Sequence, residues 1–158
     1  MVYGAAQDVY KSDFLRELVN MAKDNPYPIL IGGDFNLLRF PHEKSRGRFD
    51  EHWPFLFNVD IDSLDLREVT MLERQFTWAN SLPEPTYEKL DRVLMDTDWE
   101  EKLPMVTVRA LERIEAISDH APLLLSIGPT PRQSKHEFKF ELGWMGRDGF
   151  YEMVKAIW

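Results

Sequence analysis

The sequence predicts a single folded domain of the mixed α/β (α+β) class. Its 158 residues fit one domain, because a domain typically takes about 100 to 200 residues. Hydrophobic residues make up 44% of the chain, which is enough apolar volume for a sizeable core. Segments with the period of an amphipathic helix also alternate with short apolar runs that are typical of buried strands.

The first part of the chain predicts a helix followed by a buried strand. Apolar residues recur at helical spacing over residues 12–24, and Asn25-Pro26 then supplies a stop. The run at residues 28–31 is unbroken and apolar, which is typical of a strand covered on both faces, and glycines follow it. We therefore expect the chain to turn sharply here and to present Asp34 and Asn36 at the end of the strand.

The rest of the chain adds shorter elements. Residues 39–48 have no period and a local positive excess, so they indicate a loop, whereas residues 53–62 favour a short helix. Further strands are predicted at residues 76–80, 90–95, 105–111 and 123–127. The stretch from Thr97 to Glu100 matches a capping box, which predicts a short helix that Pro104 ends.

The composition divides the chain into a main domain over residues 1–128 and an appendage over residues 129–158. The boundary rests on the segment from Gly128 to Ser134, which has two prolines and no apolar residue to bury, as linkers do. In the appendage an alternating stretch predicts a strand and Asp148 is a candidate N-cap for a terminal helix. The alternating residues are Phe138, Phe140 and Leu142.

Charge and composition exclude several classes of protein. The formal net charge of -8, from 19 Lys and Arg against 27 Asp and Glu, repels a phosphate backbone unless a basic patch is set aside. The absence of Cys excludes a disulfide framework, a thiolate zinc site and a Cys nucleophile. No stretch has the pattern of a secretory leader or of a membrane span. We therefore expect a soluble intracellular protein without membrane contact, with nucleus and cytoplasm both open.

Three strand ends carry acidic residues that could share one site. These residues are Asp34, Asp91, and Asp119 with His120 beside it. Metal-dependent hydrolysis of a phosphodiester needs oxygen ligands, a base for the attacking water and donors for the developing charge, and such residue types supply all three. The alternative is structural: a simple turn at Asp34, an ion pair of Asp91 with a basic neighbour, and a loop cap at Asp119.

Five motifs follow one another along the chain. They are Val2-Tyr3-Gly4, Ile31-Gly32-Gly33-Asp34-Phe35-Asn36, Phe76-Thr77-Trp78, Leu90-Asp91-Arg92-Val93-Leu94 and Ser118-Asp119-His120-Ala121-Pro122. In this order they resemble the second half of an endonuclease/exonuclease/phosphatase domain, in the form of plant LINE-type (non-LTR) retrotransposon endonucleases. The resemblance covers nearly the whole chain, with residues 1–128 as a truncated domain. It implies half of a two-sheet, DNase I-like α/β sandwich, with a mixed, mostly antiparallel sheet and flanking helices.

The resemblance also implies a role for each residue of the site. Asp34 and Asn36 would activate the attacking water and contact the phosphate. His120 would contact the phosphate or act as a base, and Asp91 would orient it. Tyr3 matches a tyrosine that reaches the scissile phosphate.

The metal site is where this sequence departs from the family. The first half of the family's domain contributes an Asn and the principal metal-binding Glu, whereas this sequence begins two residues before Tyr3. Asp34 and Asp119 would then hold Mg²⁺ or Mn²⁺ only weakly, and misplacement by about 1 Å can cost roughly 100-fold in rate. We therefore expect strongly impaired catalysis, and an inactive protein would require no cofactor.

The basic loop at residues 39–48 has two interpretations. Its cations could bind phosphate as a DNA footprint, or they could be solvated and offset the negative net charge, which we favour because no basic stripe extends beyond them. The cations are Arg39, Lys44, Arg46 and Arg48. His42, His52 and His136 have no carboxylate at suggestive spacing, so surface or packing roles are expected for them.

Half a sandwich should leave an apolar sheet face uncovered. The strands at residues 28–31 and 123–127 are predicted to be buried on both faces, but the predicted helices can cover only one. Exposing the other face to water would cost about 25 cal/mol per Å² of apolar surface. A homodimer, the appendage folded back, or a partner protein would close it.

Three functions follow from these expectations. The first is a retrotransposon-derived, catalytically impaired protein that acts through protein-protein interaction or self-association. The second is a Mg²⁺- or Mn²⁺-dependent DNA endonuclease, completed in trans by another chain. The third is a nucleic-acid binder without catalysis. The first ranks ahead of the second.

Overall fold

The computed structural model describes residues 1–114, 116–128 and 142–157. Its helices are α1 (Asp8–Asp24), α2 (His52–Ser63), α3 (Thr97–Lys102) and α4 (Phe150–Ile157), with 3₁₀ turns at Pro41–Glu43 and Leu142–Gly146. Its strands are β1 (Val2–Tyr3), β2 (Leu30–Asp34), β3 (Leu66–Glu68), β4 (Met71–Leu72), β5 (Trp78–Ala79), β6 (Tyr87–Glu88), β7 (Asp91–Asp96), β8 (Val106–Ala110) and β9 (Leu123–Ile127). The predicted mixed α+β class is confirmed.

The strands form two mixed sheets and one separate pair. The first sheet has the order β1-β2-β7-β3, in which β1 runs parallel to β2 and the other neighbours are antiparallel. The second has the order β4-β8-β9, in which β4 is parallel to β8 and β9 is antiparallel to it. Strands β5 and β6 form an antiparallel pair. Antiparallel pairing therefore predominates in the described sheets.

Helices α1 and α2 cover one face of the first sheet. The helix residues Leu18 and Phe57 pack in one cluster with the strand residue Leu94 and with Phe35, which follows β2. Phe35, Phe57 and Leu94 are each 0% exposed. Apolar residues at helical spacing on the helices thus meet the alternating apolar residues of the sheet, and this burial is the main stabilising term for this layer.

The second sheet covers the opposite face of the first. Successive side chains of a strand point to opposite faces, and on β7 Leu94 faces the helices while Val93 and Met95 join a second cluster with Val108 of β8. Val93, Met95 and Val108 are all buried. The expectation that the chain could cover only one face of this sheet is therefore wrong. A homodimer or a covering partner protein stays a prediction, but an uncovered face of the first sheet no longer supports it.

Strand β9 is covered on one face only, and the prediction that it is buried on both is wrong. Leu123 and Leu125 pack against the second cluster. Leu124, which points to the opposite face, is 41% exposed, and Ile127 at the end of the strand is 51% exposed. A continuous apolar run therefore did not mean two-sided burial here.

Two predicted helix boundaries need correction. Helix α1 begins at Asp8 rather than at residue 12, because its first turn is held by an ion pair of Lys11 with Asp8 at 2.9 Å and carries no core-facing apolar residue to signal it. The N-cap of α3 is Asp96, whose Oδ1 accepts a hydrogen bond from the Trp99 backbone at 2.7 Å, so the predicted capping box at Thr97 is wrong. Helix α2 lies within one residue of its prediction at each end.

The remaining differences concern very short or undescribed segments. Strands β1, β3, β4 and β6 have two or three residues each, too few to show a period of two in the sequence. The linker after Gly128 and the stretch at Phe138 and Phe140 lie outside the described residues, whereas the predicted terminal helix is α4. In the described part of the chain, no helix combines the length and apolar composition needed to cross a membrane.

Candidate active site

The ends of β2 and β7 bring two carboxylates side by side. The antiparallel register places Asp34, the last residue of β2, directly opposite Asp91, the first residue of β7. Cross-strand neighbours in such a pair lie about 4.5 to 5.5 Å apart at Cβ. The two strand ends predicted to share a site are therefore adjacent in the sheet.

His120 enters the same site from the loop before β9. Its Nδ1 lies 2.8 Å from Asp91 Oδ2, within hydrogen-bonding distance. Its Nε2 lies 3.7 Å from Asp34 Oδ2, which is too long for a direct hydrogen bond. Ligand atoms of Asp34, Asp91 and His120 all lie within 4.8 Å of one another. The Asp91 carboxylate and the His120 ring are therefore in direct contact.

Asn36 holds the Asp34 carboxylate in place. The Asn36 backbone N–H donates to Asp34 Oδ1 at 2.8 Å, and its side-chain Nδ2 donates to Asp34 Oδ2 at 3.0 Å. The same Nδ2 lies 3.0 Å from the carbonyl of Gly4. Asn36 has a φ of 50°, a left-handed conformation that Asn tolerates better than most residues. The turn after β2 is therefore built around these two side chains.

Two glycines let β1 lie close to this turn. A Cβ at Gly4 would lie 2.0 Å from the carbonyl oxygen of Phe35, and a Cβ at Gly33 would lie 2.0 Å from that of Val2. Gly33 also has a φ of 149°, which L side chains rarely adopt. Only glycine fits at these two positions, and their close packing places the Gly4 carbonyl within reach of Asn36.

Burial raises the pKa of Asp34 above its ordinary value of 3.8. Desolvation is the largest cause, and the nearby charge of Asp91 adds to it, whereas the hydrogen bonds from Asn36 and the charge of His120 act in the opposite direction. A carboxylate with a raised pKa is a better proton acceptor once it is ionised. Asp34 therefore has the environment of a general base.

Thr77 joins the Asp91 and His120 segments, and the sequence reasoning assigned it no role. Its side chain is buried, and its Oγ1 accepts hydrogen bonds from the backbone N–H groups of Leu90 at 3.0 Å and Asp91 at 2.9 Å. Its carbonyl accepts from the Ala121 N–H at 2.6 Å. The sequence did contain a signal that could have pointed to Thr77, because this residue lies within the Phe76-Thr77-Trp78 motif.

Asp119 and Tyr3 are not part of the compact cluster. Asp119 is exposed, and its Oδ2 accepts a hydrogen bond from Trp78 Nε1 at 2.8 Å, which is the main cause that lowers the pKa of Asp119. Among the described residues the cluster of possible ligands comprises Asp34, Asp91 and His120, so it does not contain the predicted Asp34–Asp119 metal pair. Tyr3 pairs with Asp34 in the sheet register, and its side chain is 81% exposed.

The cluster fits a hard divalent cation only in part. Mg²⁺ is usually held by one or two carboxylates and several waters, and the oxygens of Asp34 and Asp91 can provide that number. One oxygen of Asp91 is engaged with His120 Nδ1. Both oxygens of Asp34 accept hydrogen bonds from Asn36, so Asp34 and Asp91 are equally candidate ligands and each would use lone pairs that these hydrogen bonds leave.

The cations of the basic loop are mostly paired with acidic side chains. Arg39 lies 3.1 Å from Glu68, Lys44 lies 2.6 Å from Glu88, and Arg46 lies 2.8 Å from Glu84. Arg48 is exposed. These contacts pair three of the four cations of the loop with carboxylates, so the loop offers less positive charge than its sequence indicates.

The remaining histidines lie away from the cluster. His42 stacks on Phe40 with ring centroids 5.5 Å apart, and His52 meets the edge of Trp53 at 4.8 Å. His136 lies outside the described residues. The two described histidines thus have the packing contacts that the sequence predicted.

Acid is expected to destabilise the fold through Glu68. Burial alone would raise the pKa of Glu68, but the charge of Arg92 and then the contacts of Lys89 outweigh it and hold the pKa below its ordinary value of 4.5. The stabilisation from ionised Glu68 is therefore fully present above about pH 4.5 and is lost as the pH falls through the lower, folded-state pKa. Glu68→Gln should flatten the acid-induced fall in the free energy of unfolding, measured by urea denaturation.

Glu84→Gln is the matched control for this prediction, because the Glu84 side chain is 86% exposed in its pair with Arg46. The free energy of unfolding of Glu84→Gln should depend on pH in the same way as that of the unmodified protein, since exposed ion pairs contribute little to stability. An unchanged acid profile for Glu68→Gln would contradict the prediction.

Comparison with known proteins identifies no relative: no protein-family model and no curated protein matches the chain.

Proposed function

We propose that the chain provides part of the active site of a divalent-metal-dependent phosphodiesterase that nicks DNA. One observation supports this most directly: His120 lies between Asp91, at 2.8 Å from Nδ1, and Asp34, at 3.7 Å from Nε2. A buried base, an oriented imidazole and a positioned amide are the groups that hydrolysis of a phosphodiester requires. DNA is proposed as the substrate because of the family resemblance, which rests on the order of the sequence motifs.

The chemistry follows from the hydrogen bonds around His120. Asp91 accepts the Nδ1 proton, which fixes the tautomer and directs Nε2 toward Asp34. Because Nε2 and Asp34 do not hydrogen-bond to each other, both can act on a substrate bound beside them. Asp34, in its ionised form, takes a proton from the attacking water as the water oxygen bonds to phosphorus. The P–O bond to the leaving oxygen then breaks, and His120, with Asp91 accepting from Nδ1, gives a proton from Nε2 to that oxygen.

A divalent metal ion would neutralise the charge that develops on the phosphate when it is bound. Asp34 and Asp91 are the side chains that would hold it. The family pattern calls for a Glu beside them, and the cluster formed by the described residues contains none. We therefore expect a low rate for the 158-residue chain unless another segment or another chain completes the site.

The fold supports the DNase I-like part of this proposal. Two sheets pack face to face through Val93, Met95 and Val108, and the helices lie outside the first sheet. The alternative function, protein-protein interaction without catalysis, was based on the missing metal-binding Glu together with an uncovered sheet face. The first ground remains, whereas the second sheet covers that face of the first sheet. Binding of nucleic acid without catalysis is less favoured, because three cations of the basic loop are already paired.

Nicking of supercoiled plasmid DNA tests the proposal. We expect slow nicking with Mg²⁺ or Mn²⁺, none after chelation, and at least a roughly 100-fold lower rate for His120→Ala, since general acid-base catalysis contributes about 10²- to 10⁴-fold. His52→Ala, which changes a histidine away from the site, should nick at the unmodified rate. Nicking that survives His120→Ala would exclude this site, and the absence of metal-dependent nicking would count against an activity of the chain alone.

A further inference from the structure

A buried ion cluster lies beside the candidate active site. We define the Arg92 cluster as Arg92, Glu43 and Glu68. The guanidinium of Arg92 lies 3.2 Å from Glu43 and 3.0 Å from Glu68, and the side chains of Arg92 and Glu43 are 0% and 3% exposed. Arg92 directly follows Asp91 in β7, and it lies opposite Gly33 in the register with β2. The cluster therefore adjoins both strands of the site.

Arg92 connects the two backbone segments that bear the acidic residues. Its Nη2 donates to the carbonyl of Leu37 at 2.8 Å and to the carbonyl of Lys89 at 2.7 Å. Leu37 directly follows Asn36, and Lys89 lies two residues before Asp91. The Arg92 side chain therefore fixes the backbone that follows Asp34 and Asn36 relative to the backbone that precedes Asp91.

Glu43 makes a second connection between the same segments. Its Oε2 accepts a hydrogen bond from the Arg39 backbone N–H at 2.6 Å, in the loop that follows the site. Its own carbonyl accepts from the Lys89 N–H at 2.9 Å. Glu43 and Arg92 therefore fasten the same two segments twice, once through side chains and once through the backbone.

Stability alone does not account for such a cluster. Burying an ion pair costs several kcal/mol of desolvation per ion, and replacement by apolar residues of similar volume is often neutral or stabilising. An apolar replacement would lose the fixed arrangement of the hydrogen-bonded segments, because the planar guanidinium directs several donors at fixed angles. Lys has a single flexible ammonium and cannot reach both carbonyls and both carboxylates in the same way.

We propose that Arg92 and Glu43 are positioning residues that set the distance and orientation of Asp34 and Asn36 relative to Asp91 and its partner His120. This inference rests on the proposed function of that site. Neither residue needs to touch substrate. Misplacement of reacting groups by about 1 Å can cost roughly 100-fold in rate, so loss of the cluster would lower turnover without removing any catalytic group.

The test compares Arg92→Lys and Glu43→Gln with Arg16→Gln as the control. The control breaks the exposed ion pair of Arg16 with Asp13 on α1, which lies outside the cluster. We expect Arg92→Lys and Glu43→Gln to remain folded by circular dichroism. Their kcat for metal-dependent nicking should fall about 10- to 100-fold while KM stays within about 3-fold, since the affected interaction is required in the transition state. Arg16→Gln should match the unmodified protein.

A second measurement separates this inference from the proposed function. The Nδ1 proton of His120, assigned by its loss in His120→Ala, reports the hydrogen bond to Asp91 by NMR without any turnover. We expect its resonance to move or disappear in Arg92→Lys and Glu43→Gln and to stay in place in Arg16→Gln. This expectation holds even if the unmodified protein shows no nicking, in which case only the proposed function would fail.

Unchanged kcat in folded Arg92→Lys and Glu43→Gln would overturn the inference. So would an unchanged His120 resonance in both variants if the protein does not turn over. If Arg92→Lys does not fold, Glu43→Gln decides, and normal turnover or a normal His120 resonance in that variant would assign the cluster to folding alone.

Discussion

Replacing Asp91 with Asn is expected to lower kcat for DNA nicking by about 10²- to 10⁴-fold, with little change in fold. An Asn side chain retains the size of Asp, but its amide group can donate to Nδ1 of His120, where the carboxylate only accepts. Donation to Nδ1 would favour the tautomer with its proton on Nε2, the reverse of the arrangement in which Asp91 accepts from Nδ1. The Thr77 hydrogen bonds to the backbone of Leu90 and Asp91 would keep the strand in place.

Single-turnover nicking rates at saturating Mg²⁺ measure this effect, and urea denaturation verifies the fold. Asp119→Asn is the matched control, because Asp119 is an exposed carboxylate outside the compact cluster. We expect a much smaller loss for that variant. Equal losses in Asp91→Asn and Asp119→Asn would contradict the assignment of Asp91 as the residue that orients His120.

The meeting of three distant acidic segments was predictable because strand ends are easy to recognise. A short apolar run followed by Gly-Gly-Asp places Asp34 at the end of β2, and Asp91 stands at the start of the next long apolar strand. The antiparallel pairing of these strands then brings the two residues together. The exact membership of the site was less predictable. Asp119 and His120 are neighbours in sequence, but only His120 joins the compact cluster.

The strands β8 and β9 of the second sheet were predicted, but the pairing of β8 with β4 was not, because it is short and distant in sequence. Strand β4 has two residues, and its partner Val108 lies far along the chain from Met71. No local pattern reports a parallel contact of this kind. The predicted helices alone therefore suggested that one face of the first sheet is uncovered, whereas β4, β8 and β9 cover that face.

Pairing between charged residues was also invisible in the sequence. Glu43 lies in the segment predicted as a solvated basic loop, and Arg92 was a basic neighbour with which Asp91 could have paired. Instead Arg92 and Glu43 are buried in one cluster. Lys44 meets Glu88 by a long-range contact of the same kind. Composition gives the number of charges, but only the fold determines which of them neutralise one another.

Phe35→Ala is expected to lower the free energy of unfolding by about 3 to 5 kcal/mol, a large part of the total of about 5 to 15 kcal/mol typical of a domain. Phe35 is 0% exposed, and its ring lies 5.4 Å from that of Phe57 and 6.4 Å from that of Phe14. The substitution removes these contacts and leaves a cavity between the first sheet and both helices. Urea denaturation measures the loss.

Phe55→Ala is the matched control, because Phe55 lies on α2 two residues before Phe57 but is 66% exposed. Phe55→Ala should lower the free energy of unfolding by no more than about 0.5 kcal/mol. Phe35 also stands between Asp34 and Asn36, and its backbone N–H donates to the Leu90 carbonyl at 3.0 Å, so the core and the site depend on the same residue. Equal stability losses for Phe35→Ala and Phe55→Ala would mean that the helices do not pack over the site strand as described.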